Sequence, residues 1–238
     1  MQIKIAHLYP DLLNLYSDRG NVVCLQKRLK WRGISVEVAE YLIDDEIRIG
    51  DVDILFIGGG SDRELKIVAE RLVNYRGEIA EFVENDGVLL AICGGFQLLG
   101  KFYELLDGEK IPGLELLDIR TFHSPNRMIG NVVIESEEFG KIVGFENHAG
   151  QTFIGDCEPL GTVISGFGNN DKDEFEGIVH KNIIGTYLHG PILPKNPKLA
   201  DVLILKALRR KYGEDLALTE LDDTAESRAH DYIVGRFV

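Results

Sequence analysis

Residues 87–100 read GVLLAICGGFQLLG, and this stretch decides the fold. The apolar run 88–92 predicts a buried strand, and apolar residues at helical spacing resume after two glycines. A strand that stops at a cysteine and turns at once into a helix is typical of a nucleophile elbow. Gly94 and Gly95 suit such a turn, because neighbouring backbone must pass close to it without Cβ clashes. We predict that Cys93 is a nucleophile, its thiolate favoured by the helix N-terminus; the alternative is a small buried structural cysteine.

Strand-like and helix-like segments alternate on both sides of this stretch. Strands are predicted at 3–9, 35–43, 53–57 and 183–188, and helices at 21–31, 62–73, 77–85 and 197–211. This alternation predicts an α/β fold with a mostly parallel sheet flanked by helices. Short strands at 115–122, 130–135, 141–145, 152–154, 162–167 and 177–179 predict an antiparallel extension. We expect residues 1–238 to form a single domain, with a C-terminal tail helix from about 219.

Composition excludes several classes of function. The chain has 26 basic and 39 acidic residues, and the net charge of −13 argues against nucleic acid or an anionic membrane as partner. Three scattered cysteines form neither a disulfide framework nor a zinc-site spacing, so no metal site is expected. No apolar run is long enough to insert in a membrane, and no signal peptide is recognisable, so we expect a cytoplasmic protein.

A cysteine nucleophile needs a base, and six histidines are available. His189 directly follows the predicted strand 183–188, at the sheet edge where functional residues collect. His148 is the competing candidate, either as base or as a pocket residue. His7, His180 and His230 are expected to be ordinary surface or core histidines.

Long blocks of the sequence resemble one family. The cysteine elbow with Gln97 four residues later, and His189 far downstream, is similar to the class I glutamine amidotransferases, on the branch of the cobyric and cobyrinic acid synthases. Residues 7–21 (HLYPDLLNLYSDRGN), 56–63 (FIGGGSDR), 144–150 (GFENHAG), 166–170 (GFGNN) and 185–196 (GTYLHGPILPKN) resemble the GatD-type glutaminase subunits of lipid II isoglutaminyl synthase. The resemblance runs nearly end to end and implies a flavodoxin-like glutamine amidotransferase domain.

The resemblance also implies roles for individual residues. Arg127 would bind the α-carboxylate of free glutamine, a task that suits a bidentate guanidinium; the alternative is a solvated loop arginine. Gln97 would lie near the substrate, although a plain helical position is also open. The implied set is Cys93 as nucleophile, His189 as general base, Arg127 and Gln97 in substrate binding, and Gly59, Gly60 and Gly94 in the oxyanion hole.

One departure from the family pattern concerns the histidine. Most class I glutaminases place a glutamate shortly after it to orient the imidazole, but Gly190, Pro191, Ile192 and Leu193 follow His189 here. The resemblance implies that an aspartate of the partner subunit completes the site. On that basis, glutaminase activity should be weak in the isolated chain and stronger in the complex.

The expected function is hydrolysis of glutamine to glutamate and ammonia, with the ammonia used elsewhere. The chain has no G-x-x-x-x-G-K-[ST] loop, so no cofactor is expected in it, and ATP and Mg would bind the partner. The resemblance implies a heterodimer with a Mur-ligase-like subunit (MurT type) that amidates the D-glutamate of lipid II in peptidoglycan synthesis. The alternatives are a glutaminase subunit of another amidating synthetase, such as one in cofactor amidation, a hydrolase of some other amide, or a non-catalytic regulatory subunit.

Overall fold

A six-stranded, largely parallel sheet forms the centre of the computed structural model, which describes all residues 1–238. The strands of this sheet are β1 (Gln2–Leu8), β2 (Ser35–Tyr41), β3 (Ile54–Ile57), β4 (Val88–Ile92), β11 (Ile178–His180) and β12 (Ile183–Thr186). They lie in the order β11-β12-β4-β3-β1-β2, and only the edge strand β11 runs antiparallel to its neighbour. β3, β4 and β12 are buried along their whole length, as their continuous apolar runs predict. The predicted α/β fold is confirmed.

Seven helices connect or flank these strands. Their bounds are α1 (Arg19–Trp31), α2 (Asp62–Leu72), α3 (Arg76–Glu84), α4 (Gly94–Leu98), α5 (Ile192–Lys195), α6 (Pro197–Tyr212) and α7 (Thr224–Phe237). α2 begins at a capping box, because Ser61 accepts from the Glu64 N–H while the Glu64 carboxylate accepts from the Ser61 N–H. α6 begins with Pro197, whose ring fixes a helical φ at the first position.

The antiparallel extension is a second sheet dominated by one long ribbon. Its strands are β5 (Phe102–Glu104), β6 (Lys110–Pro112), β7 (Arg120–Ser136), β8 (Gly140–Phe153), β9 (Gly161–Ser165) and β10 (Phe175–Glu176). The short strands expected at 130–135, 141–145 and 152–154 are parts of β7 and β8, which pair from Arg120↔Phe153 to Ser136↔Gly140 with an irregularity between His123 and Met128. Residues 115–119 are not a strand; the Glu115 and Leu116 N–H groups bond instead to the carbonyls of Gly100 and Leu99, just after α4.

The tail helix α7 begins at Thr224, later than the expected 219. The Asp222 carboxylate accepts from the Thr224 N–H at 3.1 Å, which sets the first turn there. Asp223 is held by Arg28 of α1, whose guanidinium is 2% exposed and also binds Asp201 of α6. The tail is therefore tied to α1 and α6 through a partly buried ionic contact. No helix of the fold combines the length and the apolar character needed to cross a membrane.

The parallel sheet brings distant parts of the chain to one edge. In a parallel sheet the carboxyl ends of neighbouring strands lie side by side, and functional residues collect there. β12, β4, β3 and β1 are consecutive in the sheet, and the segments that follow them contain His189, Cys93, Gly58–Gly60 and Asp18.

Candidate active site

Cys93 lies at the turn between β4 and α4 in a strained conformation. Its φ of 50° and ψ of −105° are rarely adopted by residues other than glycine, and such strain is typical of a nucleophile elbow. The Cys93 N–H is anchored to the Thr186 carbonyl at 2.7 Å. Gly95 allows the close approach, because a Cβ there would lie 2.6 Å from the Ile57 carbonyl oxygen.

His189 follows β12 and is completely buried. Its backbone N–H and carbonyl pair with those of Phe145 in β8, so the second sheet fixes the main chain of this residue. Its Nδ1 lies 3.0 Å from Asp18 Oδ1, and Asp18 is also completely buried. The remaining nitrogen, Nε2, has no hydrogen-bond partner and is left for chemistry. A carboxylate on Nδ1 fixes the tautomer and orientation that a histidine base requires.

Asp18 corrects the expectation that this chain lacks a carboxylate for its histidine. The prediction considered only residues that directly follow His189, and the carboxylate comes from the loop after β1, before the cysteine in the chain. β1 lies close to β4 and β12 in the sheet. Asp18 and His189 can therefore meet although they are far apart in the sequence. Asp18 was present in the block 7–21 that carries the family resemblance, but an aspartate in a polar loop has no distinguishing pattern.

Gly59 lies where the three side chains meet. A Cβ built on it would lie 3.1 Å from Cys93 Cβ, 3.1 Å from His189 Cε1 and 3.3 Å from Asp18 Oδ2. The side chains of Cys93 and His189 therefore both lie next to Gly59, and a side chain at position 59 would crowd them. The Gly59 N–H donates to Asp18 Oδ2 at 2.9 Å, so the expectation that it serves the oxyanion hole is wrong.

Two other expected oxyanion donors remain free. The Gly60 and Gly94 N–H groups make no hydrogen bond within the chain, whereas the Gly95 N–H is taken by the Gly58 carbonyl at 3.1 Å. Gly94 is the first residue of α4, where backbone N–H groups have no partner within the helix. This edge of the sheet therefore offers two N–H donors beside the thiol.

The electrostatics favour a protonated imidazole. Burial alone lowers the pKa of His189, but the neighbouring Cys93 and the hydrogen bond to Asp18 outweigh it and raise this pKa to about 10. His189 is therefore suited to act as an imidazolium, a proton donor next to Cys93. Cys24 is different, because burial raises the pKa of its thiol to about 12. Burial likewise raises the pKa of Cys157.

A cavity of about 200 Å³ opens beside Cys93. Arg127 lies at its rim, in the irregular part of the β7–β8 ribbon, and Asn147 holds its guanidinium through bonds from Nε to Oδ1 (3.0 Å) and from Nη2 to the backbone carbonyl (3.1 Å). The cavity has room for an amino acid, with a cationic group at one side and a thiol at the other. It is lined by Leu15, Gly60, Ser61, Asp62, Leu65, Cys93, Gln97, Tyr103, Arg127, Asn147, His148, Ala149 and Gly150.

Gln97 is a buried wall of this cavity, not a solvated helical residue. Its Nε2 donates to the Tyr187 hydroxyl at 3.0 Å, and that hydroxyl is 2.6 Å from the Thr152 hydroxyl. The amide is thereby fixed in position next to Cys93 in the cavity lining. Sequence reasoning missed Tyr187 and Thr152, since the hydrogen bonds that join them link residues 35 positions apart in the chain, which no local pattern shows.

His148 lies in the cavity wall but is turned away from the base position. Its Nδ1 donates to the Gly150 carbonyl at 2.8 Å, its Nε2 faces Glu146 at 3.6 Å, and its ring stacks on Tyr187. Both ring nitrogens therefore point at groups other than the thiol. Of the two histidines considered as base, only His189 adjoins Cys93.

Comparison with known proteins decides the family. Residues 4–197 match the CobB/CobQ-like glutamine amidotransferase domain. The chain belongs to this family. It is 46% identical over 235 residues to the subunit GatD of lipid II isoglutaminyl synthase (glutamine-hydrolyzing) from Staphylococcus aureus, with 99% of this chain and 96% of the relative covered. It is 43% identical to the subunit of that name from Streptococcus pneumoniae, with 93% and 86% covered.

Solved structures support the fold assignment. A glutamine amidotransferase structure superposes with a TM-score of 0.59 at 17% identity, covering 85% of this chain and 98% of the other. A Thermotoga maritima glutamine amidotransferase superposes with a TM-score of 0.55 at 14% identity, covering 98% and 94%. The architecture of this chain is therefore that of the glutamine amidotransferase fold.

Proposed function

We propose that this chain hydrolyses glutamine to glutamate and ammonia with Cys93, His189 and Asp18, and that the ammonia serves a Mur-ligase-like subunit (MurT type) that amidates the D-glutamate of lipid II. The observation that carries the hydrolytic half is the placement of these three side chains around Gly59, beside a cavity with Arg127 at its rim. The names of the two close relatives support the peptidoglycan half.

The first half-reaction forms a thioester. Arg127 binds the α-carboxylate of glutamine and directs the side-chain amide toward Cys93. The thiolate attacks the amide carbon, and the free Gly60 and Gly94 N–H groups stabilise the negative oxygen of the tetrahedral intermediate. The His189 imidazolium gives its Nε2 proton to the amide nitrogen, the C–N bond breaks, and ammonia leaves.

The second half-reaction releases glutamate. Neutral His189 takes a proton from water through Nε2, the resulting hydroxide attacks the thioester carbon, and the C–S bond breaks to restore the thiolate. Asp18 keeps Nδ1 protonated in both halves, so that Nε2 can alternately lose and accept the proton. One glutamine and one water give one glutamate and one ammonia.

The amidating half belongs to a partner. The relatives are named subunits of a synthase, which implies a second polypeptide, and we propose a cytoplasmic heterodimer in which ATP and Mg bind the partner. With Asp18 in place, the base is oriented within this chain, and an aspartate from the partner is not needed for that purpose. We propose that docking controls where the ammonia goes.

Co-expression with Mur-ligase-like partners tests the proposal. The complex should amidate lipid II in a reaction that needs both ATP and glutamine. The Cys93→Ala complex should amidate only when free ammonia is supplied, because ammonia bypasses the glutaminase.

Other results would point elsewhere. Amidation of a cofactor precursor but not of lipid II would favour the alternative synthetase, and cleavage of small peptides but not glutamine would indicate a different amidase. Failure of a glutamine-analogue electrophile to label Cys93 would favour a non-catalytic subunit.

A further inference from the structure

One short turn and the residue that follows it both contact His189. The single turn Leu15–Ser17 contains Tyr16 at φ 52° and Ser17 at φ 64°, two consecutive residues in the left-handed region that favours glycine. The next residue, Asp18, binds His189 Nδ1. The turn is fixed from outside, since the Leu15 N–H donates to the Gly59 carbonyl at 3.0 Å. Strain that is held in place so close to a reactive group is typical of functional segments.

Tyr16 provides the second contact with the imidazole. Its ring meets that of His189 edge to face, with the centroids 4.9 Å apart and the planes at 64°. The ring also packs against Phe145, whose backbone pairs with His189. Yet Tyr16 is 41% exposed, so burial of apolar surface does not explain why it is held in a strained conformation.

The Tyr16 hydroxyl connects this contact to the substrate cavity. It accepts a hydrogen bond from Asn147 Nδ2. The Oδ1 and backbone carbonyl of Asn147 accept from the Arg127 guanidinium at 3.0 and 3.1 Å. Direct contacts thus run from Arg127 through Asn147 and Tyr16 to His189, and they leave Nη1 of Arg127 free for an anion.

We propose that Tyr16 is a positioning residue that couples binding of the substrate carboxylate at Arg127 to the orientation of His189. The inference rests on the proposed glutaminase function and adds to it a link between the two sides of the site. A carboxylate at Arg127 fixes the guanidinium, the guanidinium fixes the Asn147 amide, and the amide holds the tyrosine ring against the imidazole. Residues in one such network show non-additive effects when they are substituted together.

Two substitutions at Tyr16 separate its hydroxyl from its ring. Tyr16→Phe keeps the ring on His189 and removes the bond from Asn147, so KM for glutamine should rise about fivefold, the size expected for one neutral hydrogen bond, with kcat changed less than ~2-fold. Tyr16→Leu also removes the ring and opens the imidazole to water. It should lower kcat by about tenfold or more, the scale of a lost edge-to-face ring contact and added solvation, and shift the alkaline limb of kcat/KM.

A double-mutant cycle tests the coupling itself. In an Arg127→Lys background, Tyr16→Phe should have no further effect on KM, because the guanidinium that Asn147 holds is gone. Tyr232→Phe is the matched control: Tyr232 is 63% exposed, its hydroxyl also accepts one hydrogen bond, and it lies on α7. This variant should have wild-type kinetics. Thermal unfolding checks that each variant is folded. If Tyr16→Leu does not fold, the kinetics of Tyr16→Phe decide whether Tyr16 couples the two sides of the site.

The outcomes are distinct. A wild-type KM in Tyr16→Phe, or an equal effect of this substitution with and without Arg127→Lys, would overturn the coupling while the glutaminase function stood. If the wild-type chain and the Tyr232→Phe control hydrolysed no glutamine, alone or with a partner, both proposals would fall together.

Discussion

Replacing Asp18 with asparagine gives the sharpest test of the active site. The Gly59 N–H is fixed in the backbone and will keep an oxygen of the new side chain as its acceptor. The amide nitrogen is then left facing His189 Nδ1, where the carboxylate was. Two donors cannot bond each other, so His189 must present an unprotonated Nδ1 and carry its proton on Nε2. In that tautomer it cannot take a proton from the thiol or from water.

The expected loss follows from the bond that is removed. A hydrogen bond to a charged group contributes about 1.5–3 kcal/mol, and the wrong tautomer adds to this, so kcat/KM for glutamine should fall by roughly 10²–10³-fold. The pH profile should change as well. The pKa of His189 is raised to about 10 with help from Asp18, so the alkaline limb of kcat/KM should move to lower pH in the variant.

The assay is glutamate release between pH 6 and 10.5, by the isolated chain and by its complex with a partner. Asp11→Asn is the matched control, since Asp11 is an exposed residue in the loop that also contains Asp18. Wild-type kcat/KM and an unshifted alkaline limb in Asp18→Asn would refute the role of Asp18. So would full recovery of the variant on adding the partner, because the orienting carboxylate would then come from the other subunit.

Three further predictions follow from other parts of the structure. A glutamine-analogue electrophile at pH 8 should label Cys93 and leave Cys24 unmodified by mass spectrometry, because burial raises the pKa of Cys24 to about 12; labelling of Cys24 in folded protein would contradict this. Burial lowers the pKa of His7 to about 4, so the unfolded chain binds more protons than the folded chain between pH 6.5 and 4. Lowering the pH through this range should therefore reduce the free energy of unfolding of the wild type by up to about 3 kcal/mol, a loss that His7→Leu should not show. The same pH dependence of the free energy of unfolding in both proteins would count against this. Gly95→Ala should lower the free energy of unfolding by about 1–3 kcal/mol, because the new Cβ would meet the Ile57 carbonyl. Gly77→Ala is the control: a Cβ there has nothing within 4 Å, so the free energy of unfolding should stay unchanged or rise by up to ~1 kcal/mol. Equal denaturant midpoints for the two variants would refute the packing argument.

The central sheet could be predicted because its signals are local. The apolar runs of β3 and β4 and the capping box of α2 each depend on neighbouring residues, so the predicted bounds of these elements agree with the structure within a few residues. The second sheet was harder. Its two long strands vary between buried and exposed positions without a regular period, and their polar stretches looked like turns.

The active site divides in the same way. Cys93 and His189 could be proposed from the sequence because Cys93 directly follows the apolar run of β4 and His189 comes three residues after the end of β12. Asp18 could not, because what distinguishes it is burial against His189, a contact made between residues far apart in the chain. The wrong role for Gly59 has a similar origin: sequence shows where a backbone N–H lies in a loop, but not which acceptor has already taken it.

The order of the active-site residues along the chain has a consequence for protein synthesis. Asp18, Gly59 and Cys93 leave the ribosome long before His189, and the β12 strand that leads to His189 pairs directly with the β4 strand that leads to Cys93. A nascent or half-folded chain therefore exposes a thiol with no base beside it. If Cys93 and His189 act as we propose, glutamine hydrolysis has to wait until β12 has paired with β4.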